Sequence, residues 1–312
     1  MQIGKSTALW LASLAIVAAV PEASHAWGND GHRTIGLIAE HFLTPSEKAE
    51  VDRLLALPIE LDLPATMKDR ATWADAFRDS DRNTTKVRYN LTHNWHFVDL
   101  ELDQPDMSSA CFGNKPLPAG TDPSTADAHE CVVQKIEEFR RVLADKALPD
   151  RERAKALTFL LHFVGDVHQP LHAAQHNNDQ GGNLVYIVTG QAKNGSNLHS
   201  FWDTATVGRL GSSPESIAAV LVPDISASDI AAWRHGSARE WAMESYKLAH
   251  DLAYRTPSKT RSCTIKARDG SSKVETCIVL DNTYRANAAG AAQHQLEAAG
   301  VRLAWVISEA LK

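Results

Sequence analysis

Residues 157–172, which read LTFLLHFVGDVHQPLH, constrain the fold more than any other segment. From Leu157 to Val167 nearly every position is apolar, which is typical of a helix buried on all sides. His162 and Asp166 lie four residues apart within this run, so their side chains share one face of the helix. A buried carboxylate costs several kcal/mol unless it is paired or bound to a metal. The segment therefore predicts a central helix that carries either a satisfied His–Asp pair or metal ligands.

Further histidines and aspartates recur in short motifs elsewhere. His199 and Asp203 repeat the four-residue spacing in NLHSFWD, and His172 closes the first segment. Upstream, WAD contains Asp75 and NWHFVDL contains His96. Imidazole with carboxylate suits zinc, and the lack of a thiolate ligand favours open catalytic sites over closed structural ones. Core packing or a solvated loop explains each motif alone equally well, but their joint presence favours a metal centre.

The first residues have the pattern of a secretory signal peptide. One lysine precedes an apolar run, and small residues stand at the −3 and −1 positions of a cleavage site that ends at Ala26. Cleavage would leave Trp27 with a free α-amino group, whose pKa of about 7.7–8 lets a metal displace its proton near neutrality. The amine, the first carbonyl and His32 could then share one ion. An uncleaved N-terminal anchor is the alternative.

Charge and composition limit the classes of protein. The formal net charge is −6, whereas proteins that bind duplex phosphates through counterion release are normally basic. We therefore expect any polyanionic substrate to be held locally, by metal ions. No other apolar run approaches the roughly 18 residues of a membrane span, so we expect an exported protein, secreted or periplasmic, with no membrane association after cleavage.

The four cysteines fit an oxidising compartment and allow three pairings. Cys263 and Cys277 flank two alternating runs around Asp269-Gly270, which predicts a β-hairpin that one disulfide could join. Cys111 and Cys131 are then left as the second pair. None of the four has the C-x-x-C spacing of a structural zinc site.

Apolar periodicity predicts a mainly α protein, a single helical domain over 27–312 with a minor β-hairpin. Short β-like stretches stand at 89–100 and 183–189. The predicted helices lie near 31–43, 46–57, 66–79, 124–145, 150–168, 227–255 and 281–311.

Six motifs in a fixed order resemble one family. They are WGxxGH at 27–32, WAD at 73–75, WHFVD at 95–99, LHFVGDVHQPLH at 161–172, GGN at 181–183 and NLHSFWD at 197–203. The set resembles the zinc-dependent single-strand nucleases and 3′-nucleotidases of the S1/P1 type. That resemblance implies a helical domain of the phospholipase C/P1 nuclease type, with three Zn²⁺ in one cleft.

The resemblance also implies ligands for each ion. Asp166 would bridge the first two ions. The implied sets are Asp75, His96, His162 and Asp166; Trp27 (amine and carbonyl), His32 and Asp166; and His172, His199 and Asp203.

The implied reaction hydrolyses single-stranded DNA and RNA to 5′-phosphate products, with 3′-nucleotidase activity, by means of a zinc-bridging hydroxide. Asp75 would orient the attacking water, while Arg78 and Asn183 would contact the phosphate. Phe97 would stack on a nucleobase and Asp99 would hydrogen-bond it. A surface helix charge is the alternative for Arg78, and core filling is the alternative for Phe97. We expect a monomer with single-stranded nucleic acids and 3′-nucleotides as substrates.

Two other functions remain open at this point. A zinc-dependent phospholipase C of the related superfamily would use similar metal ligands, although that group places Glu where this chain has Asp203. A secreted zinc-binding module without turnover would need neither a bridging carboxylate nor a preserved N-terminus.

Overall fold

The computed structural model describes residues 27–112, 130–266 and 270–312. The predicted signal peptide, the start of the helix predicted at 124–145 and Asp269 of the predicted turn lie outside these ranges. The described residues are mainly helical, as predicted. Their α-helices are α1 (Gly28–His41), α2 (Pro45–Leu55), α3 (Met67–Arg70), α4 (Trp73–Asp79), α5 (Val87–Thr92), α6 (Val132–Ala144), α7 (Asp150–Asp166), α8 (Leu198–Ser200), α9 (Pro214–Asp224), α10 (Ala227–Trp233), α11 (Ala238–Leu248) and α12 (Asn282–Leu311).

Helix α7 is the predicted buried helix and lies at the centre of the molecule. Every residue from Ala156 to Ala174 is buried, so burial continues past the helix end into the 3₁₀ turn Pro170–His172. Helices α1, α2, α4, α6 and α12 pack around it. The polar residues of the 157–172 segment are thereby enclosed by protein.

Helices α1 and α12 pack closely because Gly300 has no side chain. A Cβ built at Gly300 would lie 2.4 Å from Cγ2 of Ile38, well inside van der Waals contact. The 30-residue α12 thus packs closely on α1. Helix α1 also contacts α7, so the start of the described chain lies near α7.

Several predicted elements differ from the observed ones. The prediction of a β-like stretch at 89–100 is wrong, because most of these residues belong to α5 and to the 3₁₀ turn His93–His96. The helix predicted over 66–79 is two helices, because the chain breaks after α3, where the carbonyl of Ala71 accepts a hydrogen bond from His162.

The helix predicted over 227–255 is also interrupted. It stops after α10, where Gly236 has a φ of +93°, and resumes as α11 with a Ser237–Glu240 capping box. A π-helical turn, Ala249–Ala253, ends it. The sequence patterns also missed α9, which begins with Pro214 behind a cap from Ser213.

Four strands form one small sheet of order β2-β1-β4-β3. The predicted hairpin is confirmed as the antiparallel pair β3 (Thr260–Lys266) and β4 (Ser272–Leu280). Strand β1 (Tyr186–Thr189) falls within the stretch predicted at 183–189. It runs parallel to β4 and antiparallel to β2 (Ser196–Asn197). The hairpin is therefore joined to the chain that leads into α8.

Both expected disulfides are present. Cys111 pairs with Cys131 at a Cα–Cα distance of 5.2 Å, and Cys263 pairs with Cys277 at 5.9 Å. The second disulfide joins β3 to β4 within the hairpin.

No single helix of the described residues is long and apolar enough to cross a membrane. Helices α9 and α10 would pass that test only as a pair, and the chain bends by 101° between them.

Candidate metal centre

Four predicted ligands converge in one buried cluster. Helix α7 supplies His162 and Asp166, α4 supplies Asp75, and the 3₁₀ turn before Phe97 supplies His96. The Nδ1 of His96 lies 3.0 Å from Oδ2 of Asp166, 3.2 Å from Nε2 of His162 and 3.5 Å from Oδ1 of Asp75. The Nε2 of His162 lies 3.3 Å from Oδ2 of Asp166 and 3.6 Å from Oδ1 of Asp75.

These separations match a tetrahedral metal site. Ligand atoms about 2.0–2.1 Å from a tetrahedral zinc are about 3.3 Å from one another. The Nδ1 of His162 donates to the carbonyl of Ala71 at 2.7 Å, which leaves the lone pair of Nε2 directed at the cluster. Two imidazole nitrogens and two carboxylate oxygens form the kind of donor set that zinc binds.

A second cluster contains His172, His199 and Asp203. The Nε2 atoms of the two histidines are 3.1 Å apart, and Nε2 of His199 lies 3.4 Å from Oδ2 of Asp203. Each Nδ1 donates to a backbone carbonyl at 2.7 Å, that of His96 for His172 and that of Gly181 for His199. Both Nε2 atoms are thereby left as acceptors that face each other, an arrangement that a shared cation would stabilise.

The start of the described chain lies beside both clusters. The Nε2 of His32 is 3.3 Å from Oδ1 of Asp166, and its ring stacks on that of His162 at 3.8 Å. Trp27 is fully buried at the N-terminus of α1. A Cβ built at Gly28 would lie 3.3 Å from the carbonyl oxygen of Asp203. The structure thus brings together the side chains that the resemblance implied for the three ions and places Trp27 at the start of the helix that carries His32. The role of all these residues as ligands stays a prediction.

Gly165 makes room for His32. A Cβ at this position would lie 2.7 Å from Nδ1 of the imidazole, too close for the ring to keep its place. The glycine of the LHFVGDVH motif therefore has a steric role that its position in a helix does not reveal.

The cluster is electrostatically suited to a cation. Burial lowers the pKa of His96 well below its usual value, and Arg78 lowers it further. Burial, with His199, does the same to the pKa of His172, so both rings are neutral and can donate a lone pair. Burial and the neighbouring Asp75 raise the pKa of Asp166 well above its usual value. Such carboxylates are costly to bury without a positive charge between them.

A cleft of about 630 Å³ opens beside the clusters. All four predicted substrate residues line it: Arg78, Phe97, Asp99 and Asn183. His96, His172 and His199 line it too, so the cleft reaches the candidate metal ligands.

Arg78 is buried, so the alternative of a surface helix charge is wrong. Its Nη1 lies 2.6 Å from Asp75, while Nε and Nη2 each donate to Asp79 at 2.9 Å. Burial alone would lower the pKa of the guanidinium, but Asp75 and Asp79 raise it above its usual value. Two carboxylates thus hold this cationic side chain in place where it lines the cleft.

Phe97 and Asp99 present partly exposed side chains to the same cleft, whereas Val98 between them is buried. This alternation follows from the extended backbone of Phe97. Burial raises the pKa of Asp99 to about 6, and nearby Asp179 adds to the effect. Asn183 donates from Nδ2 to the carbonyl of Gln180, which holds its amide at the cleft edge.

The motifs did not single out every residue of the site. Gln169, inside HQPLH, donates from Nε2 to Oδ1 of Asp203 and accepts from the backbone of Leu171, so it orients a candidate ligand. In the sequence, only the position of Gln169 inside this motif could have indicated that role. Lys266 and Lys273 on the hairpin also line the cleft, and nothing in their local sequence indicated that position.

Comparisons with known proteins identify the family of the chain. The S1/P1 nuclease family pattern matches residues 27–312. The chain is 28% identical to Nuclease S1 of Aspergillus oryzae over 191 residues, which cover 61% of this chain and 58% of that protein. It is 26% identical to Nuclease P1 of Penicillium citrinum over 300 residues (91% and 97%), and to Endonuclease 2 of Arabidopsis thaliana over 272 residues (81% and 85%). The chain belongs to the S1/P1 nuclease family, whose members hydrolyse ester bonds in nucleic acids.

Proposed function

We propose that this protein is a zinc-dependent nuclease that hydrolyses single-stranded DNA and RNA to 5′-phosphate products and also acts as a 3′-nucleotidase. The observation that carries the proposal is the tetrahedral spacing of Asp75, His96, His162 and Asp166. His32 with Trp27 would hold a second zinc ion, and the cluster of His172, His199 and Asp203 a third.

The side chains of the cleft have distinct tasks in this proposal. Zinc held by these residues would act as a Lewis acid: it would polarise a phosphoryl oxygen and lower the pKa of water, so that hydroxide is available as the nucleophile at neutral pH. Asp75 accepts a hydrogen bond from the attacking water and orients it. Arg78, held by Asp75 and Asp79, donates to the non-bridging phosphate oxygens together with Asn183.

Single-strand preference follows from the base contacts. Phe97 offers an aromatic face, and base stacking on such a face contributes about 1–3 kcal/mol for any base. Asp99 beside it accepts a hydrogen bond from the base edge. Because a base must leave the duplex stack to reach these side chains, paired DNA is a poor substrate.

The proposed enzyme is residues 27–312 after removal of the signal peptide at 1–26, acting as a monomer. Two disulfides suit an exported protein, either secreted or periplasmic. The amine of Trp27 becomes available for a metal only after cleavage, so export and activity are linked.

The test combines N-terminal sequencing, metal analysis and activity on purified protein. We expect a Trp27 terminus, about three zinc ions per chain and cleavage of single-stranded DNA that a chelator abolishes. One added residue before Trp27 should lower both zinc content and activity. Indifference to that extension contradicts the Trp27 ligand, and cleavage of phosphatidylcholine without cleavage of single-stranded DNA contradicts the proposed substrate.

A further inference from the structure

The cleft is cationic although the protein is acidic. Among the residues that the structure describes, its lining carries four cationic side chains, Arg78, Arg82, Lys266 and Lys273, and one carboxylate, Asp99. The formal net charge of the whole chain is −6. Two of these cations come from the β3–β4 hairpin, which supplies none of the candidate metal ligands.

The strands of the hairpin pack against neighbouring elements beside the cleft. Strand β4 pairs with β1, and the backbone of Thr264 in β3 exchanges hydrogen bonds with Lys193 and Gly195. A Cβ at Gly195 would lie only 2.4 Å from Sγ of Cys263, so the hairpin and the 190–197 loop pack without a gap. That loop continues through β2 into α8, which carries His199. The hairpin therefore packs against the chain segment that leads to the candidate ligand His199.

Lys273 lies where it can exchange its carboxylate partner for a phosphate. Its Nζ lies 2.9 Å from the Tyr186 hydroxyl and 2.9 Å from Oε1 of Glu275, and it lies over the Tyr186 ring at 4.7 Å. The Lys273 side chain is 49% exposed and that of Glu275 is 33% exposed. An exposed ion pair contributes only about 0–1 kcal/mol, so a phosphate can replace the carboxylate at little cost.

We propose that Lys266 and Lys273 bind a backbone phosphate of a polynucleotide next to the phosphate being hydrolysed. The disulfide-linked hairpin is thus a specificity element that favours oligonucleotides over 3′-mononucleotides, which carry a single phosphate group and have none to place at this subsite. This inference rests on the proposed function and adds a subsite to it.

The test compares two double variants with the same change in net charge. K266Q/K273Q removes both cleft lysines, whereas K193Q/K259Q removes two exposed lysines of the same sheet region that do not line the cleft. Each holoenzyme is assayed on a fluorescein-labelled oligothymidylate of about twenty nucleotides and on a 3′-mononucleotide.

For K266Q/K273Q, we expect the ratio of kcat/KM on the oligonucleotide to that on the mononucleotide to fall about fivefold, through KM rather than kcat. The salt dependence of oligonucleotide kcat/KM should become shallower by about 0.7 in log–log slope per lost contact. The control variant should keep the wild-type ratio and slope. An equal loss on both substrates, or no change in the ratio, overturns the inference.

A binding assay tests this inference independently of the proposed function. If the wild-type protein cleaves neither substrate, the proposed function fails, and fluorescence anisotropy with the same oligothymidylate decides the subsite alone. Weaker binding by K266Q/K273Q than by K193Q/K259Q supports it, and equal binding overturns it.

Discussion

The Nε2 of His162 lies 3.2 Å from the Nδ1 of His96, although the two residues are 66 positions apart in the chain. The contact forms because α7 is buried along its whole C-terminal half and the 3₁₀ turn that carries His96 packs against it. The carbonyl of Ala71, at the break between α3 and α4, selects which nitrogen of His162 faces the cluster. The proposed metal site is therefore built by packing around one helix.

Asp166→Asn should empty the first two metal positions. Its carboxylate contacts His32, His96 and His162, and an amide is a poor zinc ligand that cannot bridge two ions. We expect zinc content to fall from about three to one and cleavage of single-stranded DNA to fall at least about 100-fold. The circular dichroism spectrum of the variant should remain that of a helical protein. Full zinc content in the variant would contradict the bridging role of Asp166.

Gly165→Ala should damage the site even though alanine is the better helix former. The new Cβ would lie 2.7 Å from Nδ1 of His32 and must push that ring away from Asp166. Gly290→Ala in α12 is the matched control, since a Cβ there meets nothing within 4 Å. We expect the control to raise the free energy of unfolding by about 0.5–1 kcal/mol.

Zinc content and nuclease activity distinguish the two glycine variants. Gly165→Ala should lose both, while Gly290→Ala should keep the wild-type values. Wild-type zinc content in Gly165→Ala would show that His32 is not held as the structure indicates.

Gln169→Ala should weaken the third metal position selectively. The amide of Gln169 donates to Asp203 and its oxygen accepts from Leu171, so truncation removes one of the hydrogen bonds that orient the Asp203 carboxylate. Loss of such a supporting hydrogen bond typically costs about 10–100-fold in metal affinity. Titration with a competing chelator should release one of three zinc ions early, and unchanged release would show that Asp203 needs no such support.

Asp81→Asn should destabilise the protein at neutral pH but not in acid. Burial would raise the pKa of Asp81, but hydrogen bonds from the backbone amides of Arg88 and Tyr89, at 2.8 and 3.0 Å, lower it. These bonds cap α5, and an asparagine amide has only one acceptor oxygen for them. Losing one of the two bonds should cost about 1 kcal/mol, or about 2–4 °C in Tm.

The pH profile tests the sign of this effect. Because the pKa of Asp81 is lower in the folded protein, its stabilisation is complete above the unfolded value of about 3.9 and is lost as pH falls further. The Tm difference between wild type and Asp81→Asn should therefore shrink below about pH 4. Asp224→Asn removes an exposed carboxylate as a control, and a difference that grows in acid would contradict the capping role.

Local sequence was a good guide wherever short-range periodicity decides structure. The apolar run from Leu157 to Val167 predicted α7, and the alternating runs around Gly270 predicted the hairpin. Local sequence failed at 89–100, where Asp81 caps α5. It also failed at 66–79, where the carbonyl of Ala71 at the helix break accepts a hydrogen bond from His162. Asp81 lies outside 89–100 and His162 lies outside 66–79, so neither local pattern contains the residue that contacts it.

The sequence by itself determined the residue types of the site, the family and the buried helix at its centre, because these depend on composition, order and a 3.6-residue period. Only the tertiary structure decided which atoms meet: the tautomer of His162, the clearance that Gly165 leaves for His32, and the place of Lys266 and Lys273 in the cleft. Those features depend on long-range packing and on the parallel pairing of β1 with β4. The paired residues of these strands lie about ninety positions apart, as Ile187 and Ile278 do, so no local sequence pattern predicts the contact.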